Sequence, residues 1–247
     1  MKTPQETPGA SLTAANLERA MLAQANPADA IILMSFFKTG KGQYGEGDRF
    51  LGIRNPLTRR TAKAFRDLPV REAVRAAHSE WHEIRLCALL ILADKYQSKK
   101  AKETDRAAIF GHYAELARGG FVNNWDLVDL TAPDITGAYA FEHGAGTLER
   151  FAASGHLWEE RVAVLSMFPF IRAKQMDEPF RMVDRFLPHP HDLMHKACGW
   201  MLREIGKRDR AMLTAYLEKN KAVMARTTLR YAIEHYPEPE RKAFLSK

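Results

Sequence analysis

Cysteine is scarce in this sequence, with only Cys87 and Cys198 among 247 residues. A fold stabilised by several disulfides is therefore excluded, and both cysteines lie in apolar helical patterns that predict reduced, buried thiols. Long apolar runs are also missing, since no stretch approaches the roughly 18 residues that a membrane helix needs. The first residues lack a basic segment followed by an apolar run. We expect a soluble, cytoplasmic protein without membrane contact.

Strong charge of one sign is absent too. The 37 Lys and Arg residues exceed the 30 Asp and Glu residues by a formal charge of +7. This modest bias permits binding to a polyanion such as nucleic acid without proving it. We expect residues 1–13 to form a flexible leader, with Ser11 or Thr13 capping the first helix. Residues 14–247 are predicted to form a single domain.

Alternation of apolar and polar residues, the mark of a strand, is not sustained anywhere in the chain. Helical periodicity recurs instead, as in "WHEIRLCALLILADKY", where Ile84, Leu89 and Leu92 belong to a broad apolar face. The sequence therefore predicts an all-α fold.

A basic residue begins each of four apolar helical segments: Arg85, Arg161, Lys196 and Arg226. Their separations of 76, 35 and 30 residues are typical of degenerate helical-pair repeats of the HEAT type. Such repeats stack because each unit buries its apolar face only against its neighbours. We therefore predict a curved α-solenoid whose concave face presents a row of basic helix starts.

Gly40, Gly42 and Gly45, in "GKGQYG", match the spacing G-x-G-x-x-G of a dinucleotide-binding turn. That motif has meaning only between a buried strand and a helix. The preceding "NPADAIILMSFFK" favours a helix entered at Asn26 and Pro27, and no parallel-sheet pattern follows. We interpret the match as accidental and the glycines as a loop that joins two early helices.

Three histidines, His189, His191 and His195, lie close together in "HPHDLMH". The i, i+4 spacing of His191 and His195 suits zinc, but no general-base Glu lies between them and no further ligand is evident. A loop followed by a helix start is the favoured interpretation. No metal site is predicted.

Four segments in order resemble the AlkD-type DNA alkylation repair proteins, a family of HEAT-like α-solenoid DNA glycosylases. They are "FFKTGKGQYGEGDRFLGIRNP" from Phe36, "NNWDLVD" at 123–129, "LWEERVAVL" at 157–165 and "HKACGWMLREIGK" at 195–207. The resemblance covers most of residues 15–240. It implies an enzyme that excises cationic N3- and N7-alkylated purines from double-stranded DNA without a cofactor. We expect a monomer.

The same resemblance implies the site residues. Trp125, Asp129 and Arg161 match the catalytic trio, and Trp200 matches an aromatic that packs on the DNA backbone at the lesion. Tyr44 is the nearest candidate for an aromatic of the early loop, although that loop does not align residue for residue. The implied enzymes hold the duplex without enclosing the damaged base.

The chemistry of these side chains suits the reaction. Loss of a cationic purine develops positive charge on the sugar, which a carboxylate such as Asp129 opposes while it orients a water toward C1′. Trp125 offers a π face to the cationic sugar. Arg161 would bind a backbone phosphate bidentately. The hypothesis requires that the three side chains converge and that Asp129 is not locked in an interior ion pair.

Further basic residues at loops and helix starts are candidate phosphate contacts. They are Lys38, Lys41, Arg54, Lys196, Arg203, Lys207, Arg226 and Arg230. Two alternatives without catalysis stay open: a scaffold that recruits an acidic protein, and a protein that binds damaged or branched DNA without excision.

Overall fold

Helices make up the regular secondary structure of the protein in a computed structural model that describes residues 12–246. Between those residues no β-strand forms, and a single bridge joins Arg49 and Trp81. The all-α prediction is confirmed. The chain divides into two units, Met1–Leu127 and Val128–Lys247. The predicted curvature and the single domain stay predictions.

Unit 1 carries six helices within its described part. They are α1 (Ala14–Leu22), α2 (Pro27–Phe36), α3 (Asn55–Ala64), α4 (Val70–Ala76), α5 (His82–Tyr96) and α6 (Glu103–Arg118). The helix α5 lies at its centre and packs against α1, α3, α4 and α6. A further helix, α7 (Trp125–Asp129), contains the boundary between the two units.

Unit 2 begins with a π-helical turn, Pro133–Gly137, and includes a 3₁₀ turn, Ala145–Leu148. Its α-helices are α8 (Ala138–His143), α9 (Glu149–Ala152), α10 (Leu157–Leu165), α11 (Phe168–Arg172), α12 (Asp177–Phe186), α13 (Asp192–Gly206), α14 (Arg210–Asn220), α15 (Arg226–Ala232) and α16 (Glu238–Leu245). The long helix α13 packs against α10, α12, α14 and α15.

The first two helices begin where side-chain caps are available. The Thr13 side chain accepts a hydrogen bond from the backbone N–H of Asn16, which confirms Thr13 as a cap. Asn26 caps α2 and Pro27 occupies its first turn, as predicted. Residues 1–11 of the predicted leader, which include the alternative cap Ser11, lie outside the described part of the chain.

The loop between α2 and α3 confirms the structural interpretation of the glycines. A helix, not a strand, precedes it. The backbone of Gly52 has φ +82°, and a Cβ there would lie 2.0 Å from the carbonyl oxygen of Asn26. A Cβ on Gly45 would lie 2.4 Å from the carbonyl oxygen of Phe37. Glycine is thus needed at both positions for chain packing.

Cys87 and Cys198 are buried and free, as predicted. Burial raises the pKa of each thiol to about 12, so both stay protonated. No helix within residues 12–246 is both long and apolar enough to cross a membrane.

The predicted row of exposed basic helix starts is wrong in part. The side chains of Arg85 and Arg161, which begin two of the four segments, are each only 5% exposed. Both guanidinium groups bind carboxylates inside their own unit. Lys196 and Arg226 are the members of the set that reach the surface.

Candidate active site

A bidentate ion pair in unit 2 joins two of the three predicted catalytic residues. Nε of Arg161 donates to Oδ1 of Asp129 over 2.8 Å, and Nη2 donates to Oδ2 over 2.9 Å. Asp129 is the last residue of α7, and Arg161 lies in the middle of α10. Two parallel charge-assisted hydrogen bonds fix the plane of the carboxylate as well as its position.

A third hydrogen bond anchors the guanidinium. Nη1 of Arg161 donates to the backbone carbonyl oxygen of Leu193 over 2.6 Å, in the first turn of α13. The segment of α10 around Arg161 is buried, from Glu159 to Leu165. The arginine is therefore held by two helices and has little freedom to move.

The exposure of the two partners differs. The Asp129 side chain is 13% exposed, whereas that of Arg161 is 5% exposed. The carboxylate therefore keeps contact with solvent, and the pair is not sealed inside the core.

The role predicted for Arg161 needs correction. A bidentate phosphate clamp needs two exposed, parallel N–H donors, whereas Arg161 gives its Nε–Nη2 fork to Asp129 and its side chain is only 5% exposed. Its remaining terminal nitrogen already binds Leu193. In this structure the arginine orients the carboxylate, and it does not offer its fork to a phosphate.

Trp125, the first residue of α7, belongs to an aromatic cluster in unit 1. Its ring stacks on that of Phe37, with centroids 5.0 Å apart and planes 12° apart. Phe36 meets the indole edge-on at 5.9 Å and 75°. Phe37 also stacks on Phe50 at 4.9 Å. The half-buried indole is thus held by rings on two sides.

A network of buried charged side chains lies next to this aromatic cluster, and the sequence analysis did not predict it. Nδ1 of His82 lies 2.7 Å from Oδ2 of Asp48, and Nε2 lies 2.9 Å from Oδ2 of Asp126. All three side chains are at most 2% exposed. Because ionised carboxylates only accept hydrogen bonds, both ring nitrogens must donate, and His82 carries a positive charge.

The pKa of His82 follows from this environment. Burial alone would lower it, but attraction and hydrogen bonding from Asp126 and Asp48 outweigh burial and raise the pKa to about 9. Burial likewise opposes ionisation of Asp48, yet His82 and Arg85 hold its pKa below 3.8. With Arg85, which also bonds to Asp48, the cluster has two charges of each sign.

One signal of this network was present in the sequence. "WHEIR" places three polar residues, His82, Glu83 and Arg85, at the start of a helix that is otherwise apolar. The structure buries all three. Glu83 accepts the backbone N–H groups of residues 51–53 over 2.8–3.0 Å and so fixes the end of the glycine loop.

The two other predicted aromatics are partly buried. Trp200, in α13, meets Phe168 edge-on at 5.1 Å within unit 2. Tyr44 lies in the glycine loop of unit 1. Neither is fully enclosed, so each has surface that a ligand can reach.

The predicted basic residues fall into two groups. Five are held by other groups. Four of them form ion pairs: Arg54 with Asp29, Lys196 with Asp192, Arg203 with Glu234, and Lys207 with Glu204. The fifth, Arg226, donates a hydrogen bond to the backbone carbonyl of Leu245. Lys38, Lys41 and Arg230 are exposed and form no ion pair with any residue between 12 and 246. Lys196, Arg203 and Arg230 line one cavity of about 650 Å³ in unit 2, together with Arg241.

The histidine segment contains a loop followed by a helix start, as predicted. His191 caps α13 by accepting from the N–H of Leu193 over 3.1 Å. His189 lies 3.0 Å from Glu160, and Nε2 of His195 lies against the carbonyl oxygen of His189. These contacts account for the three imidazoles without a metal.

Comparison with known proteins identifies the family. A family model described as DNA alkylation repair enzyme matches residues 17–236. The chain belongs to that family. The resemblance inferred from the four motifs is thereby confirmed, and membership in the DNA alkylation repair enzyme family supports a role in the repair of alkylated DNA.

A solved structure shares the fold. It is described as a predicted DNA alkylation repair enzyme from Enterococcus faecalis, and it superposes with a TM-score of 0.68 at 16% identity. The match covers 87% of this chain and 97% of that one. No curated protein sequence matches the chain.

Proposed function

We propose that this protein is a monofunctional DNA glycosylase that excises N3- and N7-alkylated purines from duplex DNA and leaves an abasic site. The observation that supports it most is the Asp129–Arg161 pair: a carboxylate fixed in orientation by two hydrogen bonds, yet 13% exposed. Family membership supports alkylated DNA as the substrate.

The reaction makes use of the charge of the lesion. Alkylation at N3 or N7 makes the purine cationic, so the bonding pair of the C1′–N9 bond leaves with the base, which departs neutral. The sugar is left with oxocarbenium character. Water then adds at C1′ and loses one proton, giving the abasic sugar. The proposed reaction needs no cofactor because the leaving group is already activated.

Asp129 acts at two points in this scheme. Its negative charge opposes the positive charge that grows on the sugar, an electrostatic effect typically worth about 2.7–4 kcal/mol. The partly exposed carboxylate accepts a hydrogen bond from the attacking water and then its proton, which passes to solvent. Arg161 is a positioning residue, because it acts through the carboxylate that it holds.

The aromatic residues contribute smaller terms. Trp125 presents a π face to positive charge, an interaction worth about 0.5–2 kcal/mol. Trp200 and Tyr44 would pack against the sugar–phosphate backbone beside the lesion. Binding of the backbone would come from exposed cations such as Lys38, Lys41 and Arg230.

A base-release assay tests this proposal. Duplex DNA methylated at guanine N7 is incubated with the protein, and released bases are separated by chromatography. Free 7-methylguanine that disappears with Asp129→Asn supports the glycosylase. DNA binding without release would indicate a non-catalytic binder of damaged DNA, and no DNA binding would indicate a protein scaffold; either result contradicts the proposal.

A further inference from the structure

Four aromatic rings in unit 1 form one connected stack that ends on the indole of Trp125. His82 stacks on Phe50 with centroids 4.3 Å apart and planes 21° apart, and it also meets Phe37 at 5.1 Å. Phe50 stacks on Phe37 at 4.9 Å, and Phe37 stacks on Trp125 at 5.0 Å. The three rings behind the indole are at most 6% exposed. Because buried rings are closely packed, a change at His82 is transmitted to the indole through these contacts.

The same histidine also reaches the main chain beside the indole. Nε2 of His82 lies 2.9 Å from Oδ2 of Asp126, the residue that follows Trp125. Asp126 is 2% exposed, and its Oδ1 accepts the backbone N–H of Leu127 over 2.9 Å. The ring stack and this hydrogen bond are therefore two separate routes from His82 to Trp125.

The two residues before Trp125 are held by the other members of the buried network. Nη2 of Arg85 donates to Oδ1 of Asn123 over 3.1 Å. Nδ2 of Asn124 donates to Oδ2 of Asp48 over 3.3 Å, and its Oδ1 accepts the backbone N–H of Trp125 over 2.9 Å. The main chain is thus fixed on both sides of the indole.

This arrangement requires a protonated imidazole. Asp48 and Asp126 bind opposite ring nitrogens of His82, and a neutral imidazole has a single N–H to donate. Loss of the proton would leave one nitrogen lone pair facing a buried carboxylate, which must then move. The charged side chains around His82 are these two aspartates, Arg54 from the start of α3, and Glu83 and Arg85 from α5 itself. The latter three bind other groups, so the ring itself supplies both donors.

We propose that His82 is a positioning residue that fixes the indole of Trp125 from two sides. The stack of Phe50 and Phe37 sets the plane of the indole, and the hydrogen bond to Asp126 sets the start of α7. The consequence for base release rests on the proposed function, because Trp125 is the residue through which His82 acts. His82 itself is only 1% exposed, so it acts without touching DNA.

The first test needs no DNA. The full chain is labelled with 5-fluorotryptophan, and Trp125→Phe assigns the ¹⁹F resonance of Trp125 among the four tryptophans. As the pH is raised from about 7 to 10, this resonance should shift with a midpoint of about 9, the pKa of His82 in the folded protein. Circular dichroism checks that the chain stays folded over this range. A Trp125 resonance that does not titrate would overturn the proposal.

A charge-balanced variant assigns the titration to His82. His82→Gln combined with Asp126→Asn deletes one charge of each sign and leaves Asp48 paired with Arg85. The Trp125 resonance should lose its titration in this variant. His112→Gln is the matched control, because it changes an exposed histidine of α6, and it should keep the titration. Titration that persists without His82, or that vanishes in the control, contradicts the assignment.

Base release shows whether His82 acts through the indole. Single-turnover release of 7-methylguanine is measured for the charge-balanced variant, for Trp125→Ala and for the two combined. We expect the charge-balanced variant to slow release about 2- to 30-fold, the range for a lost cation–π contact. In the Trp125→Ala protein the same change should slow release less than about twofold, because no indole is left to position. Effects that multiply would show that His82 acts independently of Trp125.

These measurements separate the positioning of the indole from the catalytic proposal. If the wild-type protein releases no base but the Trp125 resonance titrates through His82, the glycosylase is wrong and the positioning of the indole stands. If the charge-balanced variant releases base at the wild-type rate, the role of His82 is wrong and the glycosylase stands.

Discussion

Each unit of this protein contains buried carboxylates held by cations, but the two arrangements serve different ends. In unit 1, His82 and Arg85 bind Asp48 and Asp126, and every side chain is at most 5% exposed. Two charges of each sign balance there. In unit 2, one guanidinium binds Asp129, which keeps 13% exposure.

The difference shows how a similar set of groups can be structural or reactive. A closed, balanced network leaves no acceptor for a substrate, so its contribution is to stability and to the position of the indole at Trp125. A pair with one partly exposed carboxylate leaves that carboxylate able to meet a cation. The two arrangements therefore differ in the access of their carboxylates to solvent more than in the types of residue that form them.

The closed network should be the more costly one to break. His82→Leu removes both donors and leaves Asp48 and Asp126 buried with uncompensated charge, so we expect a loss of about 3–5 kcal/mol in the free energy of unfolding. Urea denaturation measures it. Glu80→Gln is the control, because its pair with Arg49 is more than half exposed, and it should cost less than about 0.5 kcal/mol. Equal losses of unfolding free energy in the two variants would mean that the buried network stabilises the fold no more than an exposed ion pair does.

The partly exposed pair of Asp129 and Arg161 should control the rate of base release. Asp129→Asn removes the negative charge but keeps the shape, and we expect base release to fall about 10²- to 10³-fold. Single-turnover release of 7-methylguanine measures the rate, and a parallel binding assay should show DNA affinity near that of the wild type. A rate that stays within about threefold of the wild type would remove Asp129 from the mechanism.

The closed network should also make stability depend on pH. His82 has a pKa of about 9 in the folded protein against an ordinary value of 6.5. The folded state thus holds the proton more tightly, and its contribution is fully present below about pH 6.5 and is lost as pH rises through about 9. The contribution of this proton to the free energy of unfolding totals about 3 kcal/mol. Denaturation at pH 6.5 and 9.5 should show this decline in the wild type and a smaller one in His82→Leu; equal declines would contradict the charged histidine.

The indole next to the network should have a smaller effect on the reaction than the carboxylate. Trp125→Phe keeps an aromatic face but weakens the cation–π interaction, so we expect base release to fall about 2- to 30-fold. The same single-turnover assay compares it with Asp129→Asn. A larger loss for the tryptophan would reverse the proposed order of contributions.

The smallest effect concerns cations that are neither buried nor paired. Arg230→Ala should reduce the salt dependence of DNA binding by about one unit of slope, because one released counterion is lost. Lys207→Ala should change the slope less, since Glu204 already holds that ammonium group at 2.6 Å. DNA affinity measured between about 50 and 200 mM salt gives the salt dependence of binding for both variants. Identical slopes for both variants would show that ion pairing in the free protein does not select the DNA contacts.

The sequence by itself determined the helical class, the start of α2 at Asn26 and Pro27, and the structural nature of the glycine loop, and it named Thr13 as one of two candidate caps of α1. These depend on periodicity and on hydrogen bonds between residues close in the chain, which one sequence displays directly. The family followed from four ordered motifs. Asp129 and Arg161, 32 residues apart, were grouped by that resemblance and not by any local pattern.

Only the tertiary structure decided which charges are buried and whom they bind. Arg85 and Arg161 each precede an apolar run and look alike in sequence, yet one closes a balanced network and the other orients a partly exposed carboxylate. His82 meets partners 34 and 44 residues away. Such contacts depend on how helices pack, because packing sets both the partner and the loss of hydration that gives each charge its strength.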